Sequence, residues 1–172
     1  MLNNKTILIT GGTIDKSYDP MSGNMILADT HIPTMLDEGL CELDVQATQV
    51  MQKDSLDMTY YDHTFIKEEC EKCEHDRIVI THGTDTMVRT AREIGAAGLE
   101  KTIVLTGAFV PYWIKGADAS FNLGSAITAA QILPVGVYIA MNGKIYNWDN
   151  VVKDVEEGIF KELSDEQIKS DG

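Results

Sequence analysis

Positive charge is scarce in this sequence. Its 172 residues carry 14 Lys and Arg against 27 Asp and Glu, a formal net charge of −13. A surface this acidic repels phosphate backbones and anionic lipid, so no nucleic acid and no membrane is expected as a partner. Long apolar runs are missing too. None approaches the roughly 20 residues that span a bilayer. The stretch before Gly11 has neither the apolar core nor the cleavage site of a secretory signal. A cytoplasmic location is the expectation. Cysteine is limited to Cys41, Cys70 and Cys73. The last two form a C-x-x-C with His63 and His75 nearby, but a zinc site usually draws four ligands from two such pairs, and there is no second pair. Free thiols of a reduced protein fit better. No metal and no cofactor is expected.

What is present is ordinary for a globular protein: 44% hydrophobic and 24% charged residues. The length suits one domain with a real core, and residues 1–172 read as a single unit. Acidic residues gather at Asp62–Asp76 and Asp154–Asp171. Both stretches read as solvated helix faces, the second as a last acidic helix.

Strand and helix signals alternate along the chain. "KTILIT" (Lys5–Thr10), "DVQATQVM" (Asp44–Met51), "RIVIT" (Arg77–Thr81), "KTIVLT" (Lys101–Thr106) and "VGVYIAM" (Val135–Met141) read as strands, and "KIYNW" pairs after the Asn142-Gly143 turn. Helix patterns fall at Ile32–Gly39, from Met58 to about Glu74, at Met87–Gly98 and from Asp118 to before Pro134. Residues 11–27 and 107–117 read as long polar loops. Several strands are β-branched runs without alternating polarity, as in a sheet covered on both faces. The expected fold is therefore α/β: three layers, a mostly parallel sheet with helices on both faces, flavodoxin- or Rossmann-like. Such sheets bind ligands at the carboxyl ends of their strands. The polar clusters "TGGT", "KDSLDM", "THGTDT" and "TGAFVP" all fall there.

Each cluster admits a chemical and a structural role. Gly11 and Gly12 allow close backbone approach to a small ligand, but their loop is not G-x-G-x-x-G and has no P-loop Lys. Thr13 offers a hydroxyl, a poor nucleophile without a base or a polarising neighbour, and Tyr18 lies in the same loop. Thr84 or Asp85 reads equally as the cap of the following helix, worth about 1 kcal/mol. Ser55 and Asp57 can cap the helix that begins near Met58. His82 fits a hydrogen-bonded structural histidine better than a general base.

"TGGTI" (Thr10–Ile14) and "HGTDTM" (His82–Met87) together resemble the bacterial-type L-asparaginases. Further segments are similar in the same order: "SYDPMSG" to the family's catalytic loop, "KDSLDM" to its DS-x-DM turn, "TGAFVP…GADASFNLGSAI" to its next conserved stretch, and "NGKIYNWDNVVK" to the segment that presents a Lys. The resemblance runs over about residues 5–155 and is to the cytoplasmic, type I-like form. It implies hydrolysis of a side-chain amide, as in L-asparagine to L-aspartate and ammonia, through a threonine nucleophile and an acyl-enzyme. By position it implies Thr13 as nucleophile, Tyr18 as its loop partner, and Thr84, Asp85 and Lys153 as a second catalytic cluster. It also implies substrate contacts from Gly12, Asp54, Ser55, Thr84, Asp85 and the backbone near Ala108, with an amino acid as the small-molecule partner.

The family resembles a longer, two-domain chain whose second domain completes the site. This sequence stops at Gly172, so the first domain without the second is expected, together with weak turnover and assembly into a homo-oligomer, dimer or tetramer. Ala119 stands where the family usually has Gly, and Trp148 and Val152 flank Lys153 unusually. Two other readings stay open: a non-catalytic amino-acid-binding module, and a subunit of a larger amidase assembly.

Overall fold

The computed structural model describes residues 5–163. Its elements in chain order are β1 (Lys5–Gly11), a 3-10 turn (Thr13–Asp15), β2 (Lys16–Asp19), β3 (Asn24–Leu27), α1 (Ile32–Glu38), β4 (Val45–Lys53), a second 3-10 turn (Ser55–Asp57), α2 (Tyr60–Lys72), β5 (Arg77–Thr81), α3 (Met87–Ala96), β6 (Thr102–Thr106), α4 (Ala119–Ile132), β7 (Gly136–Met141), β8 (Lys144–Asn147), β9 (Val152–Asp154) and β10 (Ile159–Lys161).

Six strands form the main sheet in the order β4-β1-β5-β6-β7-β8. All neighbours are parallel except β7 and β8, which are joined through Asn142 (φ 50°) and Gly143 (φ 84°), the left-handed pair that a tight hairpin needs. Side chains alternate between the two faces, and both faces are apolar. On one face Leu8, Ile78, Ile80, Ile103, Leu105 and Ile139 meet α2 and α3. On the other Ile7, Ile9, Val79 and Val104 meet α1 and α4. This double coverage is why the central strands lack polar alternation, and the α/β expectation holds. Arg77 tethers the end of α4, donating to the Ala130 and Leu133 carbonyls at 2.9 and 2.6 Å; a cation suits a helix C-terminus.

The strand order reverses between β1 and β5. After β1 the chain crosses to β4 on one side, then returns to place β5 on the other. A crevice opens at such a switch point, at the carboxyl ends of the strands. The β1–β4 register also slips there: Ile9 pairs with Gln49 but Gly11 with Lys53.

Several expectations are corrected. Residues 16–27 are not loop but a two-stranded hairpin, β2–β3, in register from Lys16–Leu27 to Asp19–Asn24. The expected last acidic helix begins instead as the β9–β10 hairpin, turned at Gly158 (φ 65°) and tied by a 2.5 Å Lys161–Asp154 pair; its remainder lies outside the described residues. Helix α2 starts at Tyr60, capped by Thr59 in a capping box with Asp62. Thus neither Ser55 nor Asp57 caps it; Asp54 caps the short turn before it. Helix α3 has Thr86 at its cap position, not Thr84 or Asp85.

Candidate active site

Three turns interlock at the switch point by close approach at two glycines. A Cβ on Gly12 would lie 2.5 Å from the Gly83 nitrogen, and one on Gly83 would lie 2.5 Å from Ser55 Oγ. Gly12 also has φ 85°. Only glycine permits both the angle and the approach. The turns after β1, β4 and β5 are therefore drawn to one point.

Thr13 opens the 3-10 turn that follows Gly12 and is partly exposed. The buried neighbours Ile14 and Asp15 anchor it. Burial raises the Asp15 carboxyl, against hydrogen bonds from the His31 amide at 3.0 Å and Thr30 Oγ1 at 3.1 Å. Among the described residues the Thr13 hydroxyl has no hydrogen-bond partner. Tyr18 stands half-exposed on β2 opposite Met25, and no hydrogen bond joins it to Thr13. Lys16, at the base of that hairpin, pairs with Asp54. This bond, outweighing burial, holds the Asp54 carboxyl below its ordinary value. Asp54 also accepts from the Leu56 amide at 3.1 Å, so it builds the turn that carries Ser55. Ser55 is fully buried, yet its Oγ has no partner.

The second cluster is compact. Lys153 Nζ donates to Thr84 Oγ1 at 2.9 Å and to Asp85 Oδ1 at 2.6 Å. It stands 5.6 Å from the centroid of the Phe109 ring, close enough for a cation–π contact. The β9–β10 hairpin supplies Lys153, pairing it with Phe160, and the Phe160 ring lies 6.0 Å from that of Phe109. A hollow of about 520 Å³ opens beside this cluster, lined by Asp85, Thr86, Arg89, Val152 and Lys153 but not by Thr13.

Ala108 is buried just past β6. Its turn is shaped by Asp118, which accepts from the Phe109 amide at 3.1 Å, the Val110 amide at 3.0 Å and Asn142 Nδ2 at 3.0 Å. Burial opposes the Asp118 charge, but these donors win and lower its carboxyl. Asn122 links the same turn to β7, donating to the Gly107 carbonyl at 2.9 Å and accepting from the Asn142 amide at 2.9 Å.

His82 is fully buried at the end of β5, and burial pushes it down to about 4, so it is neutral near pH 7. All three cysteines are free thiols. Among the described residues no group of three or more His, Cys, Asp and Glu could hold a metal, and no helix is long and apolar enough to cross a membrane.

The structure thus gathers Gly12, Ser55 and Gly83 at one point and Thr84, Asp85 and Lys153 at another just beyond it. Sequence reasoning missed Lys16, Phe109 and the Asp118–Asn122–Asn142 network. Only the Asp118 and Asn122 spacing, one helical turn apart, carried a signal; Phe109 falls in the 107–117 stretch that reads as loop.

A doubly wound sheet whose polar turns converge where its order reverses defines an α/β protein with a small-ligand crevice. Comparison with known proteins narrows that class. The family described as "Asparaginase, N-terminal" matches residues 6–158, and this chain belongs to it. The chain is 34% identical over 171 residues to a glutamyl-tRNA(Gln) amidotransferase subunit of Methanococcus vannielii, covering 92% of this chain and 38% of that protein. It is 30% identical over 167 residues to L-asparaginase 1 of Escherichia coli K12, covering 88% of this chain and 48% of that protein. Among solved structures, the thermostable L-asparaginase from Thermococcus kodakarensis superposes with a TM-score of 0.81 at 27% identity, covering 93% of this chain and 51% of that one. The chain spans about half the length, or less, of the relatives it matches.

Proposed function

We propose that this chain carries an amidohydrolase site that hydrolyses the side-chain amide of L-asparagine, or a closely related amide, with Thr13 as nucleophile. The observation that supports it most is the Lys153–Thr84–Asp85 cluster, held at hydrogen-bond distances beside the interlocked Gly12 and Gly83 turns.

As the hairpin closes over substrate the Thr13 hydroxyl attacks the amide carbon, and Tyr18 takes the Thr13 proton while passing its own phenolic proton to the amide nitrogen. Ammonia leaves, and an ester remains on Thr13. Lys153 donates into Thr84 Oγ1 and polarises it, so the Thr84 hydroxyl proton is free to orient the water that cleaves the ester. Backbone amides at Thr13 and near Ala108 stabilise the oxyanion of each tetrahedral intermediate, and fixed donors of this kind are often the largest catalytic contribution. The unpartnered Ser55 hydroxyl takes the substrate α-carboxylate. Leaving it unmade in a buried position costs about 1–3 kcal/mol, which substrate binding recovers. Asp85 supplies negative charge to the α-ammonium, Gly12 allows the close approach, and Asp54 holds the Ser55 turn.

The test is an acid quench of enzyme with L-asparagine, followed by peptide mass mapping. An aspartyl ester on the peptide holding Thr13 is expected, and its absence in Thr13→Ala. An ester on another residue would contradict the assignment.

The similarity to an amidotransferase component favours a second reading, in which this amidase domain releases ammonia to a partner protein. A native complex with a second polypeptide, purified from the source cell, would support it.

A further inference from the structure

Behind the Gly83–Thr84 turn lies a chain of three side chains that the proposed reaction does not use. His82 Nδ1 is 2.8 Å from the Gly83 carbonyl oxygen. Its Nε2 is 2.7 Å from Thr90 Oγ1, and the same oxygen is 2.7 Å from His63 Nδ1. The residues come from the end of β5, from α3 and from α2 respectively. All three are buried, and the two rings run nearly parallel, with centroids 6.3 Å apart.

Chemistry fixes the direction of each proton. A carbonyl oxygen only accepts, so His82 Nδ1 carries the hydrogen. The ring is neutral, so Nε2 is a bare acceptor, and Thr90 must give it its single proton. Thr90 can then only accept from His63, whose Nδ1 therefore carries a hydrogen and whose Nε2 is a lone pair. That atom is buried and has no partner. The charged groups acting on His63 are Arg89, Asp62 and Glu93. Asp62 is paired with Lys53 at 2.7 Å, and Glu93 lies 3.4 Å from Thr64 Oγ1.

We propose that His63 and Thr90 are positioning residues: the relay locks His82 in one tautomer, whose Nδ1–H pins the Gly83 carbonyl and so aims the Thr84 amide and hydroxyl. The peptide between Gly83 and Thr84 is planar and trans, so a pinned carbonyl turns the Thr84 N–H to the opposite side. Gly83 is packed against both Gly12 and Ser55. These contacts hold the Gly83 nitrogen and α-carbon, so losing the pin turns the peptide that leads on to Thr84 rather than the Gly12 and Ser55 turns. Cutting the relay at Thr90 orphans two buried ring nitrogens and frees His82 to change tautomer or tilt. The kinetic arm of this inference rests on the proposed amide hydrolysis; the spectroscopic arm does not.

The experiment is nitrogen-15 NMR of histidine and backbone in the full chain, with His63→Gln and His82→Gln for assignment and Thr90→Val and Thr90→Ser as probes. At pH 7 both His63 and His82 are expected as neutral Nδ1–H tautomers, the minor form of free histidine in water. Thr90→Val is expected to shift the Thr84 amide resonance and to lower kcat about tenfold with little change in KM, as a misaimed group does. Thr90→Ser, which keeps the hydroxyl, restores both. An Nε2–H tautomer at either histidine, or a folded Thr90→Val with an unmoved Thr84 amide, overturns the relay. Should the wild type release no ammonia, the amidase reading fails by itself, and the tautomers and the Thr84 amide shift decide the relay alone.

Discussion

Lys153 reaches back 68 positions to place its ammonium 2.6 Å from the carboxylate of Asp85. The pair is asymmetric: the Lys153 side chain is 13% exposed and the Asp85 side chain 39%. The cation is enclosed by Thr84 and Phe109, while the carboxylate keeps an open side. An open carboxylate is available to a second cation, such as a substrate ammonium. Replacing Lys153 with Met removes the cation with little change in bulk. Steady-state ammonia release is expected to drop by at least ~100-fold, the lower bound for a positioned acid–base group. An unchanged kcat would remove Lys153 from the mechanism.

The carboxylate of Asp118 holds the turn that presents Phe109 to Lys153. Asp118→Asn keeps the shape but substitutes a neutral group and leaves one of the part-buried backbone amides of Phe109 and Val110 without an acceptor. A loss of about 1–3 kcal/mol is expected, the usual cost of such an orphan, read as a lower urea midpoint with an unchanged slope. Because the folded carboxyl is depressed, its stabilisation is present above the unfolded value of 3.8 and disappears as pH falls through the lower folded value. The variant's deficit should therefore shrink in acid.

His82 sets a different window. Folded, it titrates at about 4; the ordinary value is 6.5. Between these the unfolded chain holds the proton and the folded chain does not. Stability is thus complete above pH 6.5 and declines as pH falls toward 4. At 1.36 kcal/mol per pH unit the loss is on the order of 3 kcal/mol. Urea unfolding of wild type and His82→Gln across pH 4 to 7 isolates this slope from that of the carboxylates, and equal slopes would contradict it.

The Trp148 indole packs on α3 at Gly95, where a Cβ would fall 2.2 Å from it. Ala at a helix interior normally gains up to about 1 kcal/mol over Gly. Here Gly95→Ala should destabilise instead, by about 1–3 kcal/mol, as overpacking does. It should also displace the segment leading to Lys153. In a Trp113→Phe background the remaining Trp148 emission is expected to shift to the red.

Much of the fold was legible because its signals are local. Apolar β-branched runs such as Arg77–Thr81 announce buried strands, and Asn142-Gly143 announces a tight turn. What was not legible depends on contacts made at a distance. The chain from Asp154 onward reads as an acidic helix, since nothing local reveals that Phe160 will pack on Phe109. Lys16–Leu27 is a hairpin whose strands hold only Tyr18 and Ile26 of the aromatic and branched residues that usually signal strands, among Asp, Pro, Ser, Gly and Asn that signal loop, and it is pinned by the Lys16–Asp54 pair. Thr84 and Asp85 resemble caps in sequence, but Lys153 stands against both and Thr86 takes the cap position. The site residues themselves were named by resemblance; chemistry alone left Thr13 and Tyr18 as two loop residues among many.

The most direct measurement is ammonia release from L-asparagine, with L-glutamine alongside, for wild type and Thr13→Ala, each shown to be folded by circular dichroism. The account predicts release by the wild type and a loss of at least ~100-fold in the variant. A folded wild type that releases nothing from either amide, or a Thr13→Ala that releases as much as wild type, would contradict it.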